Sequence, residues 1–245
     1  MKLRQLDVGG QKVFIRANTA DEIVAKNCLG DEFDLVSGLL EKITRRNTVL
    51  DLGGYIGTAA IRFATAIPHC TVITVEPSPE NFRILQLNTM KFPNIIAVNA
   101  AVGTAAGKMQ LYARTTGESG HTLVQNPKDC TAPTKVSTVD VVPVREFLER
   151  YSPPTNTLSL VKIDIEGGEV DLLRDHGWID GFAIALAELH DRIIDGCTAA
   201  WLGATRKEAR FDITDNGEKS ISVNPAILHA LHAVARPDSP PNGQQ

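Results

Sequence analysis

The chain has 245 residues, 43% of them hydrophobic, and a formal net charge of −4, which is enough apolar material for one sizeable core and reads as a single domain over 1–235. The negative balance argues against a nucleic-acid or anionic-membrane partner held by a general electrostatic field. Cys28, Cys70, Cys130 and Cys197 form no C-x-x-C pair and read as reduced thiols of a cytoplasmic protein, and no apolar run reaches the roughly 18 residues of a membrane span.

Residues 3–6 and 12–16 alternate apolar and polar around Gly9-Gly10, as in a β-hairpin, and helical periodicity follows at about 21–28 and 32–44. Lys42, Arg45 and Arg46 then suit the negative end of a helix dipole as solvated cations. Residues 1–46 are therefore expected to form a cap on a core spanning 47–235.

The core opens with Thr48-Val49-Leu50-Asp51-Leu52 running into Gly53-Gly54-Tyr55-Ile56-Gly57-Thr58, a strand, a glycine-bearing turn and a helix start. Such a turn lets a ligand approach the main chain, and the new helix's unpaired N–H groups favour an anionic group there. Asp51, at the strand end, is expected to face the same ligand. A second strand, Thr71–Val75, stops on Glu76, where a carboxylate accepts hydrogen bonds from ribose hydroxyls. Together they predict an adenosine-containing cofactor, either a nicotinamide dinucleotide or S-adenosylmethionine. Tyr55 stands where a dinucleotide fingerprint needs its middle glycine and hinders a pyrophosphate, so S-adenosylmethionine is favoured.

A third strand at 94–99 continues the alternation of a parallel sheet. Residues 103–140 break it with four glycines, a short strand at 108–112 and a polar loop through His121 and Asn126, read here as a substrate-access loop. An extended segment at 139–144 and a helix at 145–150 stop at Pro153-Pro154. Strand four is expected at 158–165 and strand five at 182–188, and Asn216-Gly217 between alternating runs at 209–213 and 219–223 marks a hairpin whose last strand runs antiparallel. Residues 236–245 are too polar to pack and read as a disordered tail.

Within strand four, period two sets Lys162, Asp164 and Glu166 on one face and Val161, Ile163 and Ile165 on the other. A lysine in a central strand needs a carboxylate partner, and Asp51 and Glu188 end the presumed neighbours, so Lys162 reads first as a paired ion and second as a base. Glu169 reads as a helix-start residue.

The stretches Val49–Gly57, Val75–Phe82, Asn99–Gly103 and Val161–Glu169, the last containing Lys-Ile-Asp-Ile-Glu-Gly-x-Glu, together resemble the FkbM-type methyltransferase family over roughly residues 45–190. The resemblance implies a class I methyltransferase fold: an α/β, Rossmann-like, seven-stranded, mostly parallel sheet, here with the N-terminal hairpin and helical cap. It implies S-adenosylmethionine-dependent methylation of hydroxyls on sugars, polyketides or related natural-product metabolites. By the resemblance Gly53, Tyr55 and Gly57, with Gly54 between them, line the methionine end, Glu76 the ribose, and Ser78, Ala100 and Ala101 the adenine.

An oxygen acceptor also suits the absence of an Asp/Asn-Pro-Pro-aromatic run after strand four, where this chain has Asp164-Ile165-Glu166-Gly167. Deprotonating an alcohol is hard for a carboxylate of pKa about 4, so a histidine or a metal must help. His121 is one candidate general base. The other constellation sets Asp164 beside Glu188 and His190, which share a face by period two and would hold Mg²⁺ against the acceptor hydroxyl. A nicotinamide oxidoreductase and a non-catalytic cofactor-binding or interaction protein stay open as alternatives, as does assembly into a homo-oligomer.

Overall fold

The computed structural model describes residues 2–114, 117–207, 209–214 and 219–233. Strands β1 (Leu3–Val8) and β2 (Gln11–Arg16) pair antiparallel around Gly9 and Gly10, both at positive φ, forming the expected hairpin. Helix α1 (Asp21–Leu29) follows, then α2 (Asp34–Leu40). The second helix is shorter than its sequence pattern because the chain turns after Leu40 and sends Ile43 into the core by that turn.

The main sheet is built from β3 (Asn47–Leu52), α3 (Thr58–Ala66), β4 (Cys70–Val75), α4 (Pro79–Thr89) and β5 (Ile95–Val98), strands joined by helical crossovers. The chain then leaves this sheet. Residues expected to be largely loop instead form a second, four-stranded sheet from β6 (Ala101–Gly103), β7 (Gly107–Ala113), β8 (His121–Thr122) and β9 (Thr134–Pro143), in the order β6-β9-β7-β8. Alternating Leu111, Val139 and Val141 bury on one face of it with Ala101, while Lys108 and Asp140 pair on the exposed face, a period-two signal weakened by short strands. The stretch expected to be loop thus contracts to the segment between β7 and β9.

Helix α5 (Val144–Tyr151) returns the chain to the main sheet through β10 (Thr157–Ile163), α6 (Glu169–Leu172), β11 (Ile184–Glu188) and α7 (Cys197–Thr205). A hairpin of β12 (Phe211–Thr214) and β13 (Lys219–Val223) and then α8 (Pro225–His232) complete it. The Asn216-Gly217 turn and the 236–245 tail lie outside the described residues. The order is β12-β13-β11-β10-β3-β4-β5, with β11, β10, β3, β4 and β5 parallel and β13 antiparallel to both neighbours.

Successive residues of the central strands enter opposite cores. Val49, Val72, Leu160 and Ile184 pack with Phe33, Leu40 and Phe63, whereas Leu50, Ile73, Val161 and Ala185 pack with Phe147, Trp178, Phe182 and Trp201. Burying one such aliphatic side chain is worth about 1.5–3 kcal/mol, so the continuous apolar runs fix a sheet covered on both faces. Among the described residues no helix is long and apolar enough to cross a membrane, and the four cysteines are free and buried.

Candidate active site

The order in which successive strands join the sheet reverses between the parallel neighbours β3 and β10, and outside their carboxyl ends lies a cavity of about 350 Å³. This is the switch point where open α/β sheets take ligands, and the volume is in the range of small-molecule sites. The turn after β3 forms one wall. Gly53 and Gly54 donate their N–H groups to the Val75 carbonyl at 3.1 and 2.8 Å, tying the turn to β4. A Cβ on Gly53, at φ +86°, would stand 1.8 Å from the Asp164 carbonyl oxygen, and one on Gly54 would stand 2.2 Å from Thr74 Oγ1. These two glycines are required by the strands pressing on the turn.

Gly57 and Asp51 contribute from behind the wall. Gly57, in the left-handed region, starts α3, and a Cβ there would meet Thr89 and Leu85 of α4, so it permits helix packing and does not line the cavity. Asp51 is fully buried: its Oδ2 accepts from Thr74 Oγ1 at 2.7 Å and its Oδ1 lies 3.3 Å from Lys162 Nζ. It faces that lysine and does not line the cavity, because Asp51 and Lys162 are register partners on the adjacent strands β3 and β10 and their side chains share one face of the sheet.

Glu76 lines the cavity at the end of β4. Its Oε1 accepts from Ser78 N at 2.8 Å and its Oε2 from Tyr55 N at 2.9 Å, which aims the carboxylate while leaving lone pairs for a ligand's hydroxyls. Burial pushes it up to about 7, although those backbone donors and Asn81 oppose the rise. Ala100 and Ala101 line the same end, with Asn81. Ser78 does not: its Oγ accepts from Asn81 N and caps α4, so Ser-Pro-Glu-Asn is here a helix start.

The cap supplies another wall through Val24, Asn27 and Cys28 of α1, with Glu32. It is fastened by Arg16, which donates to both Asp21 oxygens and to Asn81 Oδ1, all at 2.8–2.9 Å, and whose guanidinium lies 5.3 Å from the Tyr55 ring centre. The Tyr55 hydroxyl also donates to Asp21. Burial works against the Asp21 carboxylate, but hydrogen bonds from Arg16 and Tyr55 hold it below the usual range. Sequence reasoning passed over Arg16, Asp21 and Asn81; a lone Arg ending an apolar hairpin strand, five residues before an Asp, was the available signal.

The opposite end of the cavity is polar. Lys162, on β10, lies 3.3 Å from both Asp51 and Asp164 and donates to the Gly53 carbonyl at 3.1 Å. Burial opposes its charge, but Asp164 and Asp51 overcome this and hold the ammonium well above the ordinary lysine range. Lys162 is thus placed as a paired cation that ties turn to strand, the first reading of its position. Asp164 lines the cavity as expected. Glu166 does too, but not by strand alternation: β10 ends at Ile163 and Glu166 turns at φ +53°. Glu169 begins α6 and accepts from Ile165 N and Gly167 N at 3.1 and 3.0 Å, the helix-start role its position suggested.

His190 is buried behind this group, with Nδ1 3.0 Å from Glu169 Oε1. Its Nε2 faces Glu188 Oε1 at 3.5 Å, Glu166 Oε2 at 3.6 Å and Asp164 Oδ1 at 3.8 Å. Burial disfavours an imidazolium, but Glu169 and Glu188 raise the His190 pKa to about 10, while His190 draws Glu188 down to about 2. The ligand-type atoms that converge within 4.8 Å are those of Asp164, Glu166 and His190; Glu188 stands beside them and is held by Lys219 at 3.2 Å.

His121, on β8, lines the cavity from the second sheet, together with Arg114 at the end of β7. The buried Arg114 donates to Asp129, to Glu166 and, at 2.9 Å, to the Gly120 carbonyl, so one guanidinium fastens the β7–β9 segment over the end of β10. Arg114, absent from the sequence-based set, is legible only once β7 is placed.

Comparison with known proteins agrees with this architecture. The family profile described as the methyltransferase FkbM domain matches residues 51–200. "Methyltransferase 1" of Beauveria bassiana (strain ARSEF 2860) is 28% identical over an aligned stretch of 162 residues that covers 57% of this chain and 64% of that protein, so the match spans less than two thirds of that relative. In fold, the chain is similar to a Staphylococcus aureus crystal structure provisionally assigned as a caffeoyl-CoA O-methyltransferase, at TM-score 0.50 and 10% identity over 84% of this chain and 90% of that one. It is also similar to the SAM-dependent methyltransferase from Agrobacterium tumefaciens, at TM-score 0.47 and 14% identity over 92% and 71%. With its α/β fold of the class I methyltransferase type and a profile match across most of its length, the chain belongs to the methyltransferase FkbM domain family.

Proposed function

We propose that this protein is an S-adenosylmethionine-dependent O-methyltransferase acting on a hydroxyl of a small sugar-like or other natural-product metabolite. One observation carries the reading: Glu76 and the glycine turn line the same cavity as Asp164, Glu188 and His121. The cofactor supplies an activated methyl group on a sulfonium. Glu76 accepts from the ribose hydroxyls, Gly53, Gly54 and Tyr55 wall the methionine end, and Ala100 and Ala101 pack against the adenine. At the polar end, methyl transfer forms a C–O bond as the C–S bond breaks, and the acceptor's proton must leave. His121 takes it as general base, with Asp164 orienting the hydroxyl.

The reading needs a small hydroxylated acceptor and neither nucleic acid nor membrane. Its test is calorimetry with S-adenosylmethionine, S-adenosylhomocysteine and NAD, followed by a panel of hydroxylated acceptors. Selective binding of the two sulfur ligands, weakened by Glu76→Ala, and turnover lowered about 10²–10⁴-fold by His121→Gln are expected. NAD binding alone, or methylation of amines but not alcohols, would overturn it.

A further inference from the structure

The geometry points to a dication site of the Mn²⁺ or Fe²⁺ class, formed by Asp164, Glu166 and His190 at the polar end of the cavity. The ligand-type atoms of these three residues all lie within 4.8 Å of one another. Carboxylates alone would not justify the assignment. His190 does: the residue is only 1% exposed, and its Nε2 makes no well-formed hydrogen bond although Glu188, Glu166 and Asp164 approach to 3.5, 3.6 and 3.8 Å. A buried nitrogen so placed needs either a proton or a cation to satisfy it.

The surroundings of His190 favour a ligand's orientation. Glu169 holds Nδ1 at 3.0 Å, and its own oxygens are fixed by the Ile165 and Gly167 N–H groups. Metal-bound histidines are commonly oriented by such a carboxylate on the other ring nitrogen, which holds a proton at Nδ1 and turns Nε2 toward the ion. Glu188 contributes negative potential 3.5 Å from Nε2 but is engaged with Lys219. Glu166 is shared with Arg114, so a cation draws on a group that also anchors the β7–β9 segment.

The donor set also selects the ion. Mg²⁺ prefers an all-oxygen, largely hydrated octahedron, whereas one imidazole with two carboxylates suits Mn²⁺ or Fe²⁺. Any catalytic use of the ion rests on the hydroxyl-transfer reading above: an acceptor oxygen bound to it would lose its proton more readily. The site itself does not depend on that reading.

The test uses the full chain after EDTA treatment, titrated with Mn²⁺ and separately with Mg²⁺ by calorimetry, with electron paramagnetic resonance of Mn²⁺ in parallel. One Mn²⁺ per chain is expected, bound more tightly than Mg²⁺. His190→Gln and Asp164→Asn should abolish the saturable binding, and Glu169→Gln should weaken it about 10–100-fold. Circular dichroism and S-adenosylhomocysteine binding identify any variant that fails to fold, and His190→Gln is expected to pass both. Absence of saturable Mn²⁺ in the wild type, Mg²⁺ binding as tight as Mn²⁺, or unchanged Mn²⁺ affinity in folded His190→Gln would overturn the site. Failure of S-adenosylhomocysteine to bind the wild type would instead overturn the methyltransferase reading and leave the metal result standing.

Discussion

Tyr55 of the glycine turn donates its phenolic proton to Asp21 of the cap, 34 residues earlier in the chain. Tyr55 also sits at φ +49°, a conformation that costs a non-glycine residue about 1–3 kcal/mol and persists only where neighbours impose it. The cap therefore helps hold the turn in shape. Tyr55→Phe should weaken S-adenosylhomocysteine binding about tenfold, since a hydrogen bond to a charged group is worth about 1.5–3 kcal/mol. Asp21→Asn should cost more, because it also leaves Arg16 buried without its counter-charge. Calorimetry decides; unchanged affinity in both variants would show a turn that keeps its shape without the cap.

Lys162→Met should destabilise the fold by about 3–5 kcal/mol, because Asp51 is fully buried and would lose its opposite charge. Adding Asp51→Asn should recover part of that loss. Urea unfolding of the single and double variants measures both. A double variant no more stable than Lys162→Met would show that the lysine acts through packing and not through Asp51.

Glu76 carries a pH signature. Its pKa is raised from the ordinary 4.5 to about 7, so the ligand-free folded state holds the proton more tightly than the unfolded chain. Stability must then fall as pH rises through that window, by about 3 kcal/mol at most. Ligand-free Glu76→Gln lacks this loss and should gain on the wild type between pH 5 and pH 8, while its cofactor affinity drops. Parallel stability curves for the two proteins across that range would contradict the buried carboxylate.

Glycines on this chain divide by what surrounds them. Gly53→Ala should destabilise by about 4 kcal/mol or more, since its Cβ would overlap the Asp164 carbonyl and its φ is positive. Gly203→Ala, inside α7 with nothing within 4 Å, should be neutral or stabilising by up to about 1 kcal/mol. Thermal unfolding of both variants is the measurement, and a tolerated Gly53→Ala would mean that the turn and β10 can separate.

Arg114→Leu should release the β7–β9 segment. The variant should be cut there by a non-specific protease faster than the wild type, because Asp129, Glu166 and Gly120 lose their shared donor. Cofactor and acceptor should slow cutting in the wild type. Identical digestion rates with and without ligands would remove the segment from the site.

The parallel sheet was legible because its strands are continuous apolar runs bounded by glycine or acid, and Val49-Leu50 or Leu160-Val161 can satisfy two cores only as a central strand. Glu76 and Lys162 were legible for the same reason: a charged residue in or at the end of such a run has to be explained by a partner or a ligand. The second sheet was not, because β6 and β8 span three and two residues, too short for periodicity to register. Asp51 and Gly57 were placed on the ligand side because strand and turn patterns locate a residue along the chain without saying which neighbour leans on it. Arg16–Asp21–Tyr55 was invisible for a further reason: its members matter only through contacts between the hairpin and the turn.

The wall formed by α1 has a consequence for how the cavity can be re-engineered. The segment matching the family profile begins at residue 51, yet Val24, Asn27 and Cys28 shape the same cavity. Exchanging residues 1–46 between relatives would transplant one side of the pocket without disturbing a single strand of the main sheet. A fragment cut at the profile boundary would lose both that wall over the glycine turn and residues 47–50 of the central strand β3. Chimeras joined just before Asn47 are thus a route to altered ligand preference, with the Arg16–Asn81 contact marking the seam that each new pairing has to restore.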